Sequence, residues 1–393
     1  MAPFRPITDD ERARHQTIKD HVWGEGGVPD YDADAVPDAL GERWAYVEDD
    51  QFRSICTLME IDVRLADEWR PVGGIRGFVT PPEHRGQGYG RRLLRAALDE
   101  FADRDLAYTL LWPASIAYYR RHGWGLVDTS TEYAFPPDAL VDPGVAGTFE
   151  RVGVDDFDRL DAVWTDYASQ YELAVRRSPE WWRERVLADR WVYCFTPDGG
   201  DEPDGYVVST LDRDGKVMQI EELIYRTETA RRQLLAFVGR HVPQADRVEW
   251  TCPEERRLLF EAADPDAVDL STVPGASGRI VDVIEAIKAL PPDRAPTDPV
   301  TVAVSDPLRS ANDGVFRVDT ALTCTRVETG DADIGEAVDP DLTVDVAVLS
   351  QLYVGSVSIR TAADRERLDA TDDAVAALSS TFGTRDVSVT DFF

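Results

Sequence analysis

Lysine is nearly absent from this chain: Lys19, Lys216 and Lys288 are the only three in 393 residues, and arginine carries the rest of the positive charge. Acidic residues far outnumber basic ones, giving a formal net charge of −32 at neutral pH. Nucleic acid and anionic membrane surfaces are poor partners for such a chain. Cysteine is scarce as well. Cys56, Cys194, Cys252 and Cys324 show no CxxC spacing and have no histidine cluster nearby, which argues against a zinc site or a disulfide framework; no metal is expected. No apolar run approaches membrane-spanning length, and residues 1–15 lack the apolar core of a secretion signal. The expectation is a soluble, cytoplasmic protein.

What is present points to folded domains. Hydrophobic residues make up 43% of the chain and ten are tryptophan, so high charge is not coupled to low hydrophobicity as it is in disordered chains. A chain of this length is too long for one ordinary core, and two or three domains are expected. An acid-rich, lysine-poor surface over a well-stocked core suits a cytoplasm kept at high salt, where self-repulsion is screened over a few Å. A halophilic source is therefore expected, with an acidic protein from an arginine-rich genome as the plainer alternative.

The pattern of elements divides the chain into ranges 1–137, 147–275 and 279–393. The first reads as a mixed α/β unit, with a helix over 7–21 and strands over 43–47, 54–64 and 72–80. A helix over 88–102 follows, with Leu94, Ala97, Leu98 and Phe101 on one face. A strand over 108–112 and a helical turn over 115–122 complete it. Pro136, Pro137, Asp142, Pro143 and Gly144 mark a linker. The second range repeats the order loosely, with helices over 155–170, 179–187 and 227–241 and strands over 191–196, 205–211 and 217–224. The third opens on an amphipathic helix through Ile280, Val283, Ile284 and Ile287. Strands over 300–304, 314–319, 321–325 and 342–346, two helices and a terminal strand over 387–390 follow.

The segment most informative about chemistry is Gly77-Phe78-Val79-Thr80-Pro81-Pro82-Glu83-His84-Arg85-Gly86-Gln87-Gly88-Tyr89-Gly90-Arg91-Arg92. A strand ends, a glycine-rich turn follows, and an amphipathic helix begins. Backbone N–H groups at such a helix start lack partners, and glycine lets a diphosphate approach them closely. A Walker A loop requires Lys-Ser/Thr after its last glycine, and Arg91-Arg92 stands there instead. A dinucleotide fingerprint follows the first strand of its unit, whereas this turn follows the third or fourth. A turn that merely joins strand to helix is the remaining alternative.

This turn resembles the pyrophosphate loop, Arg/Gln-x-x-Gly-x-Gly/Ala, of the GNAT acetyltransferases. The resemblance implies acetyl-CoA as co-substrate, with Arg85, Gly86, Gln87, Gly88, Tyr89 and Gly90 at its diphosphate. It further implies backbone contacts from Gly77, Phe78 and Val79 to the pantetheine arm, and a place for Ser115 beside the cofactor. Downstream, Tyr118-Tyr119-Arg120-Arg121-His122-Gly123-Trp124 matches the family's tyrosine before a Gly-aromatic pair. Tyr119, four residues before Gly123, then takes the role of general acid towards the departing thiolate. Packing beneath the cofactor is the other reading of Tyr119, and His84 reads as structural.

The whole layout resembles the enhanced intracellular survival (Eis) branch of that family, over all 393 residues but unevenly. It is strong at 84–90 and 119–125, moderate at 278–283 and 349–355, and rests on element order in the middle range. The implied fold class is α/β (α+β): tandem GNAT-like domains with mixed central sheets, then a sterol-carrier-protein-like domain. The middle domain has no turn like 85–90 and is not expected to bind CoA. In this branch the chain's own terminal carboxylate is the general base, here that of Phe393. A sequence ending in Phe392-Phe393 fits, since solvated ends are usually polar, although the two rings could simply close a hydrophobic seam. Trp23, Glu25 and Asp30 fall where the family lines its acceptor pocket, Asp391 could also face the amine, and a solvated acidic loop is the plainer reading of 25–30. The implied activity is N-acetylation of a primary amine by direct attack, on a polyamine, an aminoglycoside-like cation or a lysine side chain. The implied assembly is a homo-oligomer, with a hexamer as one form. A carrier that holds an apolar ligand in its third domain is the alternative from another class.

Overall fold

The computed structural model describes residues 3–24, 36, 40–253, 256–327 and 339–393. They fall into two units. The first comprises Met1–Val127, Ala276–Arg385 and Phe392–Phe393, and the second Asp128–Gly275 and Asp386–Asp391.

The first unit is built on strands β1 (Phe4–Pro6), β2 (Glu42–Glu48), β3 (Gln51–Leu65), β4 (Glu68–Val79), β5 (Tyr108–Leu111) and β6 (Gly125–Leu126). Strands β2, β3 and β4 form an antiparallel meander. Its turns are the two-residue pairs Asp49-Asp50 and Ala66-Asp67, all four with positive φ, which is the geometry that matches strand twist in tight hairpins. Helices α1 (Arg12–Trp23), α2 (Tyr89–Asp103) and α3 (Ile116–Arg120) flank the sheet. Leu93, Leu94, Ala97, Leu98 and Phe101 of α2 are fully buried, and they pack on Trp44, Cys56, Leu58 and Ile75. Ile18 of α1 packs instead with Ala45, Ile55 and Val79. Neighbouring strand residues point to opposite faces. Trp44 and Ala45, like Ile55 and Cys56, therefore place α2 and α1 on opposite sides of the sheet.

The seventh strand of this sheet comes from far along the chain. Ser277–Ile280 inserts between β5 and β6, antiparallel to both. The segment 278–283 spans two elements: Gly278, Arg279 and Ile280 belong to this strand of the first sheet, and the next helix begins at Val283 under an Asp282 cap whose carboxylate accepts from Ile284 and Glu285 N–H. Arg279 is buried there, its Nη2 donating to both carboxylate oxygens of Asp306 at 2.7 Å. The rest of the unit is a five-stranded sheet ordered Cys324–Arg326, Gly314–Val318, Val300–Ser305, Leu342–Asp345, Asp369–Ala370. The apolar helix Val346–Val354 ties it to the first sheet: Ser350 Oγ accepts from Ile280 N–H, and the Tyr108 hydroxyl donates to Ser350 O.

The second unit holds a seven-stranded sheet ordered Asp269–Pro274, Thr129–Phe135, Arg247–Cys252, Val217–Tyr225, Gly205–Asp212, Trp191–Pro197, Gly147–Arg151. Thr129–Phe135, read from sequence as the end of the first range, pairs here with Arg247–Cys252 and Asp269–Pro274. Val217–Tyr225 and Arg247–Cys252 are parallel only from Val217↔Arg247 to Ile220↔Trp250, then part. The turn that follows, Tyr225-Arg226-Thr227, contains no glycine. Thr227 Oγ1 already accepts from Ala230 N–H in the first turn of helix Glu228–Gly239, and Glu228 adds an acid there. The expected strand over 387–390 is reduced to a single bridge, Glu172↔Val387.

Candidate active site

The site begins as a gap in the first sheet. Strands β4 and β5 are paired in parallel only from Gly73↔Thr109 to Ile75↔Leu111. Beyond Ile75, β4 runs on to Val79 against β3 alone, with an extra residue in that ladder and Gly77 at φ +55. Among the described residues, Gly77, Phe78 and Val79 therefore have no strand neighbour on the β5 side. Backbone groups in such a position need a partner from elsewhere.

The turn after β4 stands at the head of this gap. Gly86 and Gly88 have φ of +74 and +80, a region in which a side chain is strained. A Cβ on either would meet nothing within 4 Å, so the space above the turn is open. The first bond of α2 runs from Arg92 N–H to Gly88 O at 3.1 Å. The N–H groups of Tyr89, Gly90 and Arg91 thus have no carbonyl of the preceding turn to bond, at the positive end of a 15-residue helix. Side chains brace the turn: Arg85 Nε donates to Thr80 O at 3.0 Å and Gln87 Nε2 to Glu83 O at 3.1 Å. The Tyr89 hydroxyl donates to Glu48, so Tyr89 offers the open space its backbone rather than its phenol.

Tyr119 lies on the α2 side of the sheet, 6% exposed, packed with Leu93, Leu94 and Trp124 and edge-on to Phe78. Its hydroxyl makes no hydrogen bond to the described residues. Burial pushes the phenol pKa well up, so it is protonated at neutral pH and can only give a proton, not take one. Arg279 supports the end of α3, donating to His122 O and lying over the Trp124 ring at 5.0 Å. Ser115, exposed, caps α3 by accepting from Tyr118 N–H at 3.4 Å.

Phe393 approaches the gap from the other face. It is 4% exposed, and a Cβ built on Gly74 would stand 3.2 Å from its ring, beside Ile61 and Met59. A Cβ on the neighbouring Gly73 would instead strike Phe101 of α2. Alternation along β4 therefore separates the two groups. Tyr119 is on the α2 face and Phe393 on the α1 face, one residue short of the point where β4 and β5 part. Phe392 is largely exposed, with its ring 5.3 Å from Trp112 just beyond β5.

Trp23 ends α1, on the Phe393 face, and is 53% exposed. Glu25 and Asp30 lie outside the described residues. Asp391 belongs to the second unit, where its carboxylate accepts from Arg177 Nε at 3.0 Å and Trp181 Nε1 at 2.8 Å. It is buried and already engaged. Sequence reasoning passed over Arg279 and Arg177, because their partners lie far away in the chain. Among the described residues no group of three or more His, Cys, Asp or Glu could hold a metal ion, and no helix is long and apolar enough to cross a membrane.

Residues 3–127 and 173–280 each match an acetyltransferase (GNAT) domain, and residues 283–389 match a sterol carrier protein domain. The chain is a tandem-GNAT acetyltransferase with a sterol carrier protein domain. The gap between β4 and β5 and the 85–90 turn lie in the first GNAT domain. Solved structures share the fold. A GCN5-related N-acetyltransferase from Anabaena variabilis superposes with a TM-score of 0.81 at 20% identity, covering 99% of each chain. One from Kribbella flavida gives 0.77 at 20%, covering 99% of this chain and 98% of that one. Eis1 from Mycobacterium abscessus gives 0.73 at 21%, covering 99% and 100%. At such identities the likeness shows the fold. No curated protein matches the chain in sequence.

Proposed function

We propose that this acetyltransferase is of the enhanced intracellular survival type and uses acetyl-CoA to acetylate a primary amine. The acceptor would be a cationic small molecule, such as a polyamine or an aminoglycoside-like compound, or a lysine side chain. The observation that carries the reading is the open gap in the first sheet. Unpartnered backbone lines it, a glycine turn heads it, a protonated tyrosine lies on one face and a buried chain end on the other. The residues fit a CoA-sized group: Gly86 and Gly88 leave the space above the turn free, and the first N–H groups of α2 suit a diphosphate.

Bound there, acetyl-CoA would supply an activated thioester. Arg85 to Gly90 would hold the diphosphate through backbone N–H groups, Gly77 to Val79 the pantetheine arm, and Ser115 would stand nearby. The Phe393 carboxylate, as general base, would take the proton from the incoming ammonium. A carboxylate there would also attract the cationic acceptor. Tyr119 would give its proton to the leaving sulfur. The opposite-face arrangement suits this division, because amine and thiol then never compete for one space. Trp23 and Glu25 would line the acceptor side. The second GNAT domain, with Thr227 and Glu228 at its helix start, would hold no CoA. A homo-oligomer in a high-salt cytoplasm fits the acidic, lysine-poor surface.

The test is direct. Purified protein should bind acetyl-CoA in calorimetry and release thiol only when an amine from a polyamine and aminoglycoside panel is present. Absence of both binding and amine-dependent thiol release would overturn the proposal.

A further inference from the structure

Next to the proposed acid stands a second tyrosine whose hydroxyl is also free of hydrogen bonds to the described residues. Tyr118 is half-buried. Its ring is fixed by four neighbours: Tyr119 at 5.3 Å and perpendicular, His122 at 4.7 Å, Phe78 at 6.1 Å, and the Arg121 guanidinium at 5.2 Å over its face. A side chain held this way has one place for its hydroxyl. That place is the first turn of α2: a Cβ built on Gly90 would stand 2.6 Å from Tyr118 Oη, 3.0 Å from Phe78 Cζ and 3.4 Å from Thr80 Oγ1. Gly90 sits inside the helix, where an alanine would ordinarily be preferred. It has no positive φ to explain it. What requires glycine here is the room occupied by the Tyr118 hydroxyl.

We propose that Tyr118 is a cofactor-binding residue, donating its hydroxyl proton to the CoA diphosphate beside the N–H groups of α2, and that Gly90 and Tyr118 are a matched pair. This rests on the CoA reading of the gap. Burial raises the Tyr118 phenol pKa, so the group is a donor at neutral pH, and a phosphate oxygen is the acceptor that helix start attracts. The two adjacent tyrosines then divide the work. Tyr119, deeper in the sheet, serves the sulfur; Tyr118, at the helix start, serves the diphosphate.

The experiment compares Tyr118→Phe, Tyr119→Phe, Gly90→Ala and the double variant Gly90→Ala/Tyr118→Phe, with acetyl-CoA and with S-acetylpantetheine, which lacks the diphosphate. Losing one hydrogen bond to a charged group should raise the Kd of CoA about tenfold in Tyr118→Phe, and the loss should appear in KM for acetyl-CoA rather than in kcat. KM for S-acetylpantetheine should not move. Gly90→Ala should weaken CoA binding as well, and adding it to Tyr118→Phe should weaken it less than it does alone. The inference is overturned by an unchanged CoA Kd in Tyr118→Phe, by equal losses with both donors, or by a fall in kcat like that of Tyr119→Phe. Failure of the wild type to bind CoA at all would instead overturn the reading on which it rests.

Discussion

Arg177 and Asp391 form an ion pair closed to solvent: the two side chains are 0% and 5% exposed, with Nε donating to Oδ1 at 3.0 Å. The guanidinium lies 3.5 Å from the Trp164 ring centre and 4.6 Å from that of Trp182, and Glu222 takes its other end. Trp181 donates to the same Asp391 oxygen. Removing one partner of a buried pair leaves the other charge uncompensated and costs about 3–5 kcal/mol. Asp391→Ala should therefore lower the denaturation midpoint of the second unit by a matching amount, with Glu222 moderating the loss. It should also make the segment 386–391 a faster substrate for an endoprotease. An unaltered midpoint and unaltered cleavage would show that the pair does not anchor the tail.

Asp128 gives a pH signature in the same unit. It is buried, Oδ2 accepts from Val389 N–H at 2.9 Å, and Oδ1 has no hydrogen-bond partner among the described residues. Burial raises its pKa from 3.8 to about 7. The folded state then holds a proton that the unfolded state has already released. The stability this contributes is present below the ordinary carboxylate pKa and is lost as pH rises towards 7. Denaturation midpoints of the wild type should fall across that window more steeply than those of Asp128→Asn, whose side-chain oxygen can still accept from Val389. Parallel profiles for the two proteins would contradict the assignment.

For the proposed acid, Tyr119→Phe keeps the ring and its packing but removes the proton. General acid catalysis contributes about 10²–10⁴-fold, so kcat should fall by that order while the Kd of CoA stays close to wild type. Because burial holds the phenol pKa well above 10, no loss of activity through its ionisation should be seen between pH 6 and 9. A variant with wild-type kcat would remove Tyr119 from the mechanism.

The sequence made some of this legible and hid the rest for a physical reason. The 85–90 turn, α2 and the apolar face of α2 are local features: glycines at positive φ and a 3.6-residue period are written in adjacent residues. Tyr119 is singled out through the resemblance, as the tyrosine four residues before Gly123, and not by any local physical pattern. The seventh strand of the first sheet could not. Ser277–Ile280 is short, has no alternating pattern, and becomes a strand only because β5 and β6 offer it two edges. Thr129–Phe135 was not read as a strand, and nothing local says which sheet it joins. Asp391 was read as an acceptor-facing acid because its sequence neighbours suggested it. Its partner Arg177 is 214 positions away, and pairings of that range are decided by the folded chain rather than by local pattern.

The account centres on the proposed base, the carboxylate of Phe393, whose ring lies on the α1 face of the first sheet beside Gly74. The most direct measurement compares turnover and acetyl-CoA binding in the full chain, in a chain lacking Phe393, and in one extended by a short tag after Phe393. The account predicts that both altered chains bind acetyl-CoA nearly as well as the full chain and acetylate amines at a small fraction of its rate. Full turnover in the extended chain would contradict it.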